Sequence, residues 1–186
     1  MRKMMIIAAA AVLLAACGTG GDGSSGGAGQ PVPDELSVQV EDMEETQGFI
    51  TAIDGERVLV NHVFYSIDEE THLVSIGDGA ERELSMEDLE TGMRADVYHS
   101  GMVAESFPAQ GHAAVVAVLK DGQSLSQTKA FQAFLEAEGN DFVILGKPEI
   151  GEGTIRFDCT MVTGNESYSV ELDVESHEYT LEPKQD

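Results

Sequence analysis

His99 and His112 bracket the stretch "SGMVAESFPAQG", with Glu105 between them. Two imidazoles and a carboxylate are the parts of a metal site or an acid–base pair, and they would converge if the flanking segments form paired strands. The wider pattern argues against this. The five histidines (His62, His72, His99, His112, His177) include no H-x₃₋₅-H spacing, so no metal and no cofactor is expected. Ser106 invites a nucleophile reading, but "ESF" is not G-x-S-x-G and no His and carboxylate pair is arranged to activate it. The carboxylates Glu41, Asp42, Glu44 and Glu45 lack the alternation and the glycine of a calcium loop. In "TIRFDCTMV", alternation puts Ile155, Phe157, Cys159 and Met161 on one strand face, which makes Cys159 a small core residue rather than a nucleophile.

The same loop has a second use. Pro108 fixes its own φ and holds Phe107 extended, so Glu105, Ser106, Phe107 and Gln110 form a rigid excursion. Such a loop either binds a partner through these four residues or plugs one end of a barrel, Phe107 inward and Gln110 tying down backbone. The plug is the readier of the two.

The elements that must hold this loop are β-rich. "GFITAIDGERVLVN" is two apolar runs around Asp54-Gly55, a favoured hairpin turn. In "HVFYSID", Val63, Tyr65 and Ile67 share a face, and "THLVSI" reads as a further strand. Ser85 and Asp88 in "SMEDLETGM" suit a short capped helical turn that Gly92 would end. "MRADVYHSG" and "HAAVVAVLK" then supply the strands that flank the loop. About five short strands, with one helical turn before the fourth, fit an OB-like small β-barrel over 48–121.

Residues 122–186 read as a helix packed on an antiparallel β-meander. "SLSQTKAFQAFLEAEGN" places Ala130, Phe131, Phe134 and Leu135 on one face, with Ser126 as the start and Gly139-Asn140 as the end. Three or four strands follow, with Gly164-Asn165 as a turn between two of them. The expected class is mainly β with an α+β second half.

The N-terminal region carries the address. Arg2 and Lys3 precede an apolar run, Met4 to Ala16, that is shorter than the ~20 residues needed to span a bilayer. Residues 1–16 therefore read as a signal peptide. Leu14-Ala15-Ala16-Cys17 resembles a bacterial lipobox, which implies acylation of Cys17 (diacylglycerol, palmitate-type chains). Each buried CH₂ contributes roughly 0.8 kcal/mol, so two such chains give durable anchoring. Residues 17–47 follow as a linker, glycine- and serine-rich at first and acidic later, with room for one short strand at Leu36, Val38 and Val40. With Cys17 committed to lipid, Cys159 is left alone and no internal disulfide forms.

Charge narrows the partners. The formal net charge is −24, and removing the leader takes away Arg2 and Lys3 but no acid. Such a surface excludes nucleic acid, which needs phosphate-neutralising Lys and Arg, and repels anionic lipid.

Residues 48 to about 119 resemble the YobA-like domain-of-unknown-function family of Gram-positive lipoproteins. The matching pieces are "GFITAIDGERVLV", "DLETGMRADVY" and Glu105-Ser106-Phe107-Pro108-Ala109-Gln110, where that family shows an ESYPAQ-like loop. The resemblance implies a small barrel and an envelope location, and brings no catalytic residues; Phe107 stands where the family has tyrosine. "AFQAFLEAEG" and "SYSVELDVESHEY" loosely resemble PepSY modules.

Together these features lead to the expectation of a non-catalytic, extracytoplasmic lipoprotein, anchored to the cell membrane through Cys17. It would bind or scaffold an envelope component, a protein or a cell-wall glycan. Two alternatives are a metal-dependent envelope enzyme using His99, Glu105 and His112, and a regulator of an extracellular protease acting through the PepSY-like half.

Overall fold

Alternation along the chain is converted directly into strand faces. Val63, Tyr65 and Ile67 are buried while Phe64 and Ser66 between them are only partly so, the period-2 signature of a strand with one wet side. The computed structural model describes residues 36–139 and 142–184. Its first seven strands are β1 (Glu44–Ile53), β2 (Arg57–Val60), β3 (Val63–Ser66), β4 (His72–Gly77), β5 (Ala80–Glu83), β6 (Arg94–His99) and β7 (Ala109–Leu119).

Five of these close into a barrel in the order β3-β2-β1-β6-β7, sealed by a parallel pairing of β3 with β7. This is the connectivity of an OB-type Greek key. β7 makes closure possible because it is long enough to serve two neighbours. Its first residues pair with β3 (Val63↔Ala109 to Ser66↔His112), and its later ones with β4 (His72↔Val115 to Ile76↔Leu119). Register shifts at Ile50/Ala52 and at Tyr98/His99 supply irregularities of the kind that bend strands into a small barrel. Ile50, Val58, Val60, Tyr65, Val97 and Val116 fill the interior.

The local signals sit where the sequence places them. Asp54 and Arg57 exchange backbone hydrogen bonds of 2.9 and 3.1 Å around Gly55, whose φ is +59°. A 3-10 turn, Met86–Asp88, precedes β6, the fourth strand of the barrel. There the Asp88 carboxylate accepts hydrogen bonds from the Ser85 amide (2.8 Å) and hydroxyl (2.7 Å).

The second half is the helix α1 (Gly122–Ala137), followed by β8 (Val143–Leu145), β9 (Glu149–Ile150), β10 (Thr154–Met161), β11 (Glu166–Asp173) and β12 (Tyr179–Pro183). The sheet runs β12-β11-β10-β8, with β9 also on β10. Ala130, Phe131, Phe134 and Leu135 are buried, as the helical spacing requires. The start of the helix differs from the expectation. Asp121, not Ser126, is the N-cap, its carboxylate accepting from the amides of Gln123 and Ser124 at 3.0 Å. An ionised carboxylate satisfies two orphan amides at once, whereas the Ser126 hydroxyl lies inside the helix and donates to the Gly122 carbonyl.

The two halves share a core. Phe49 on β1 faces away from the barrel interior and stacks on Phe131 with ring centroids 4.3 Å apart. Phe157 meets Phe131 and Phe134 edge-on. The described residues accordingly form one compact unit.

The acidic segment ahead of Gly48 is more structured than a linker. β1 begins at Glu44. Leu36, Val38 and Val40 form no strand, but with Met43 they pack on the face made by Val74, Ile76, Tyr98 and Val115. The expected signal peptide, Cys17 and the glycine-rich stretch lie outside the described residues.

Candidate functional site

The loop between β6 and β7 is pinched at its neck. Ala104 and Gln110 exchange backbone hydrogen bonds, Ala104 N–H to Gln110 O at 2.7 Å and the reverse at 3.3 Å. Residues 105–109 are thereby held as a tight excursion, crossed by a hydrogen bond from the Ser106 hydroxyl to the Pro108 carbonyl at 2.7 Å. Gln110 belongs to β7 and its side chain is exposed. Glu105 and Ser106 are also exposed.

Phe107 points outward, not into the barrel. It is 73% exposed, and Met102 in the same loop is 81% exposed. The plug reading is therefore wrong, for a steric reason. The barrel end below the loop is already filled by Tyr65, which is fully buried, and Val103 is the loop residue that packs against the core. Phe107 instead lines a groove of about 380 Å³ together with Leu145, Cys159, Thr160, Ser167, His62 and Lys184.

Most polar groups of this groove are already engaged. Lys184 donates to Asp158 at 2.5 Å, Asp158 accepts from Ser169 at 2.6 Å, and the hydroxyls of Thr160 and Ser167 pair at 3.1 Å. Burial pushes the Cys159 thiol up to about 11, so it is protonated near neutrality and is no nucleophile. What the groove offers a visitor is chiefly a free aromatic ring above an apolar and hydroxyl-bearing floor.

β6 and β7 do pair, yet they carry the two histidines to different surroundings. His112 is exposed and sits 2.8 Å from Asp68, whose carboxyl it helps to hold below the usual range. His99 is 5% exposed and tilted against the Tyr65 ring. Its Nδ1 accepts the Gly101 amide at 3.1 Å, and its Nε2 lies 3.2 Å from Thr46 Oγ1, which is 2.8 Å from the Tyr65 hydroxyl. An acceptor at Nδ1 makes the ring neutral with its proton on Nε2. Burial lowers the His99 pKa, and the nearby Glu44 carboxylate offsets this only in part. His99, Glu105 and His112 are not assembled: among the described residues no group of three or more His, Cys, Asp or Glu side chains is placed to hold a metal.

Two polar arrangements escaped the sequence reading. The His99–Thr46–Tyr65 chain joins residues far apart in sequence and follows from the β1–β6 register, in which Glu44 lies opposite His99. The second did leave a signal. Arg94 and Asp96, two apart on one strand, share a face, and they form a buried ion pair at 2.6 Å. A larger hollow of about 790 Å³ beside β4 and β5 has Asp68, Glu69, Glu81 and Glu83 in its lining, along with apolar residues such as Leu73 and Leu84.

No family model matches the chain, and no curated protein or solved structure is significantly similar to it. Among the described residues no helix is long and apolar enough to cross a membrane.

Proposed function

We propose that the protein is a non-catalytic binding module, tethered through lipid on Cys17 to the extracytoplasmic face of the cell membrane. In this reading it engages an envelope protein with the loop between β6 and β7. The observation that carries the proposal is Phe107, a large aromatic side chain 73% exposed at the wall of a groove. Aromatic and methionine side chains are enriched at recognition surfaces because they bury much area with few rotamers or adapt their shape. Met102 and Phe107 fall in one short loop of an otherwise acidic molecule. Two apolar side chains suit a protein surface better than a hydroxyl-rich glycan. Leu14-Ala15-Ala16-Cys17 and the YobA-like motifs support the envelope setting.

Capture of partners from detergent-solubilised membranes tests this, comparing wild type with Phe107→Ala and Met102→Ala. Both side chains face solvent, so the melting temperature should hold while capture falls severalfold. Unchanged capture by both variants refutes the loop as the interface, and binding of wild type to purified cell wall alone would favour a glycan. Cys17→Ser should shift the protein out of the membrane fraction.

A further inference from the structure

Below its Ala104–Gln110 neck, the loop that carries Met102 and Phe107 is also fastened at its root to a titratable ring. Gly101, two residues beyond His99, has φ +82°, a left-handed conformation that glycine adopts without strain. That conformation aims its amide back at His99 Nδ1, 3.1 Å away. The ring cannot easily turn away, because it is buried, lies against Tyr65, and is held at Nε2 by Thr46.

We propose that His99 is a proton-sensitive latch on the root of the β6–β7 loop: neutral, it holds the Gly101 amide through Nδ1, and protonated, it presents a second N–H to that amide and releases residues 100–102, on the near side of the Val103 contact and the Ala104–Gln110 neck. Protonation removes the acceptor and sets two donors face to face. A buried hydrogen-bonded pair thereby becomes a buried repulsive one.

The neighbours decide the direction of the switch. From β1, Glu44 is the charged group near the ring; its carboxylate lies against Gly101, since a Cβ there would come within 2.7 Å of Glu44 Oε1. β1 also presents the Thr46 hydroxyl. β3 presents the Tyr65 phenol, whose pKa is raised by burial and which stays neutral throughout. On β7, Ala113 lies opposite His99 in the ladder. Burial outweighs Glu44, so release falls on the acid side of the ordinary imidazole range. Glu44 is the carboxylate whose charge acts on the ring, and it partly favours the imidazolium.

The inference rests on the reading of this loop as the binding element, but its test needs no partner. NMR of the ¹⁵N-labelled protein from pH 8 to pH 5 should show His99 as the Nε2–H tautomer at high pH. As the ring titrates, Gly101 exchange, corrected for its intrinsic pH dependence, should accelerate roughly tenfold, the scale of one lost hydrogen bond. Amides 100–102 should shift with the same midpoint. His99→Asn keeps an acceptor near the Nδ1 position but cannot titrate, so its loop should show no acid step. The latch is overturned by an Nδ1–H tautomer at pH 8, by titration of His99 without change at Gly101, or by the same acid step in His99→Asn. Should His99→Asn fail to fold, the wild-type tautomer and Gly101 exchange decide alone. A latch seen alongside unchanged capture by Phe107→Ala would leave the switch standing and remove the binding role.

Discussion

Replacing Asp96 with leucine should destabilise the protein more than most single substitutions, although the change adds apolar volume to a buried site. The Asp96 and Arg94 side chains are 5% and 3% exposed, and Arg94 Nη1 donates to Asp96 Oδ1 at 2.6 Å. The same nitrogen also donates to the carbonyls of Ala95 (2.8 Å) and Gly48 (3.1 Å). These keep the guanidinium in place after its partner is gone, so Asp96→Leu leaves a positive charge buried without a counterion. Breaking such a pair from one side costs about 3–5 kcal/mol, or roughly 6–20 °C in Tm for a unit of this size. Arg94→Met fails differently. Burial already raises the Asp96 pKa against the opposing pull of Arg94, and losing the arginine raises it further. The orphan carboxyl can protonate, so Arg94→Met should be least damaging near pH 4 and should lose stability as pH rises, since a raised folded-state pKa favours the fold only where the acid stays neutral. The double variant Arg94→Met/Asp96→Leu removes both charges and should recover most of the loss. Thermal melts of the four proteins at pH 4 and pH 7 close the cycle. A single Asp96→Leu melting within a degree or two of wild type, or a double variant whose losses simply add, would show that the pair is not buried and coupled in the way this reasoning needs.

Two further outcomes follow from the packing. A Cβ at Gly48 would lie 2.0 Å from Asn61 Oδ1, while Asn61 Nδ2 donates to the Gln47 carbonyl. Gly48→Ala should therefore lower stability by about 1–3 kcal/mol, read as a drop in the urea midpoint, and Asn61→Gly, which suits the φ of +57° there, should restore part of it; a silent Gly48→Ala would contradict the close approach. At Asp121, burial pushes the carboxyl up, but hydrogen bonds from the Ser124 hydroxyl and amide and from the Gln123 amide outweigh it and hold the pKa below the usual value. Asp121→Ala should cost about 1 kcal/mol at pH 7. A lowered folded-state pKa gives stability that is lost as pH falls, so the gap between variant and wild type should narrow below pH 4, and a gap that does not narrow would argue against the ionised cap.

What could be read from the sequence was local. The Asp54-Gly55 hairpin, the Ser85–Asp88 turn, the Gly164-Asn165 turn and the apolar face of α1 each depend on residues within a few positions of one another. The barrel also came through, because five short strands and a helical turn in that order leave few closed arrangements. The starts of elements were harder. Glu44 and Glu45 look like linker by composition, yet the β1–β6 register places them opposite His99 and Tyr98, and Glu45 accepts the Tyr98 hydroxyl at 3.0 Å. Ser126 is a plausible cap until Asp121, a better acceptor, is seen to open the helix earlier. The rigidity that Pro108 gives the loop suits a plug with Phe107 inward as readily as a binding excursion. Only the three-dimensional structure shows that Tyr65 and His99 already occupy that end. The His99–Thr46–Tyr65 chain had no local trace, since closure alone brings its members together.

The distribution of charge bears on how the loop would meet a partner. The chain has ten Lys and Arg against 34 Asp and Glu, and several of the cations are spent internally: Arg94 on Asp96, Arg57 on Asp54, Arg156 on Glu171 and Lys184 on Asp158. The molecule thus carries a strong net negative charge, and the loop between β6 and β7 adds the exposed apolar side chains of Met102 and Phe107. A net charge of that sign steers cationic surfaces toward the molecule but does not choose among them. Choice would fall to the two apolar side chains and to whether the loop holds them still. Salt should therefore slow association more than it speeds dissociation, while Phe107→Ala should act mainly on dissociation. If the latch operates, acid should resemble Met102→Ala rather than salt, because releasing the root of the loop removes the fixed presentation of that side chain and leaves the net charge almost unchanged.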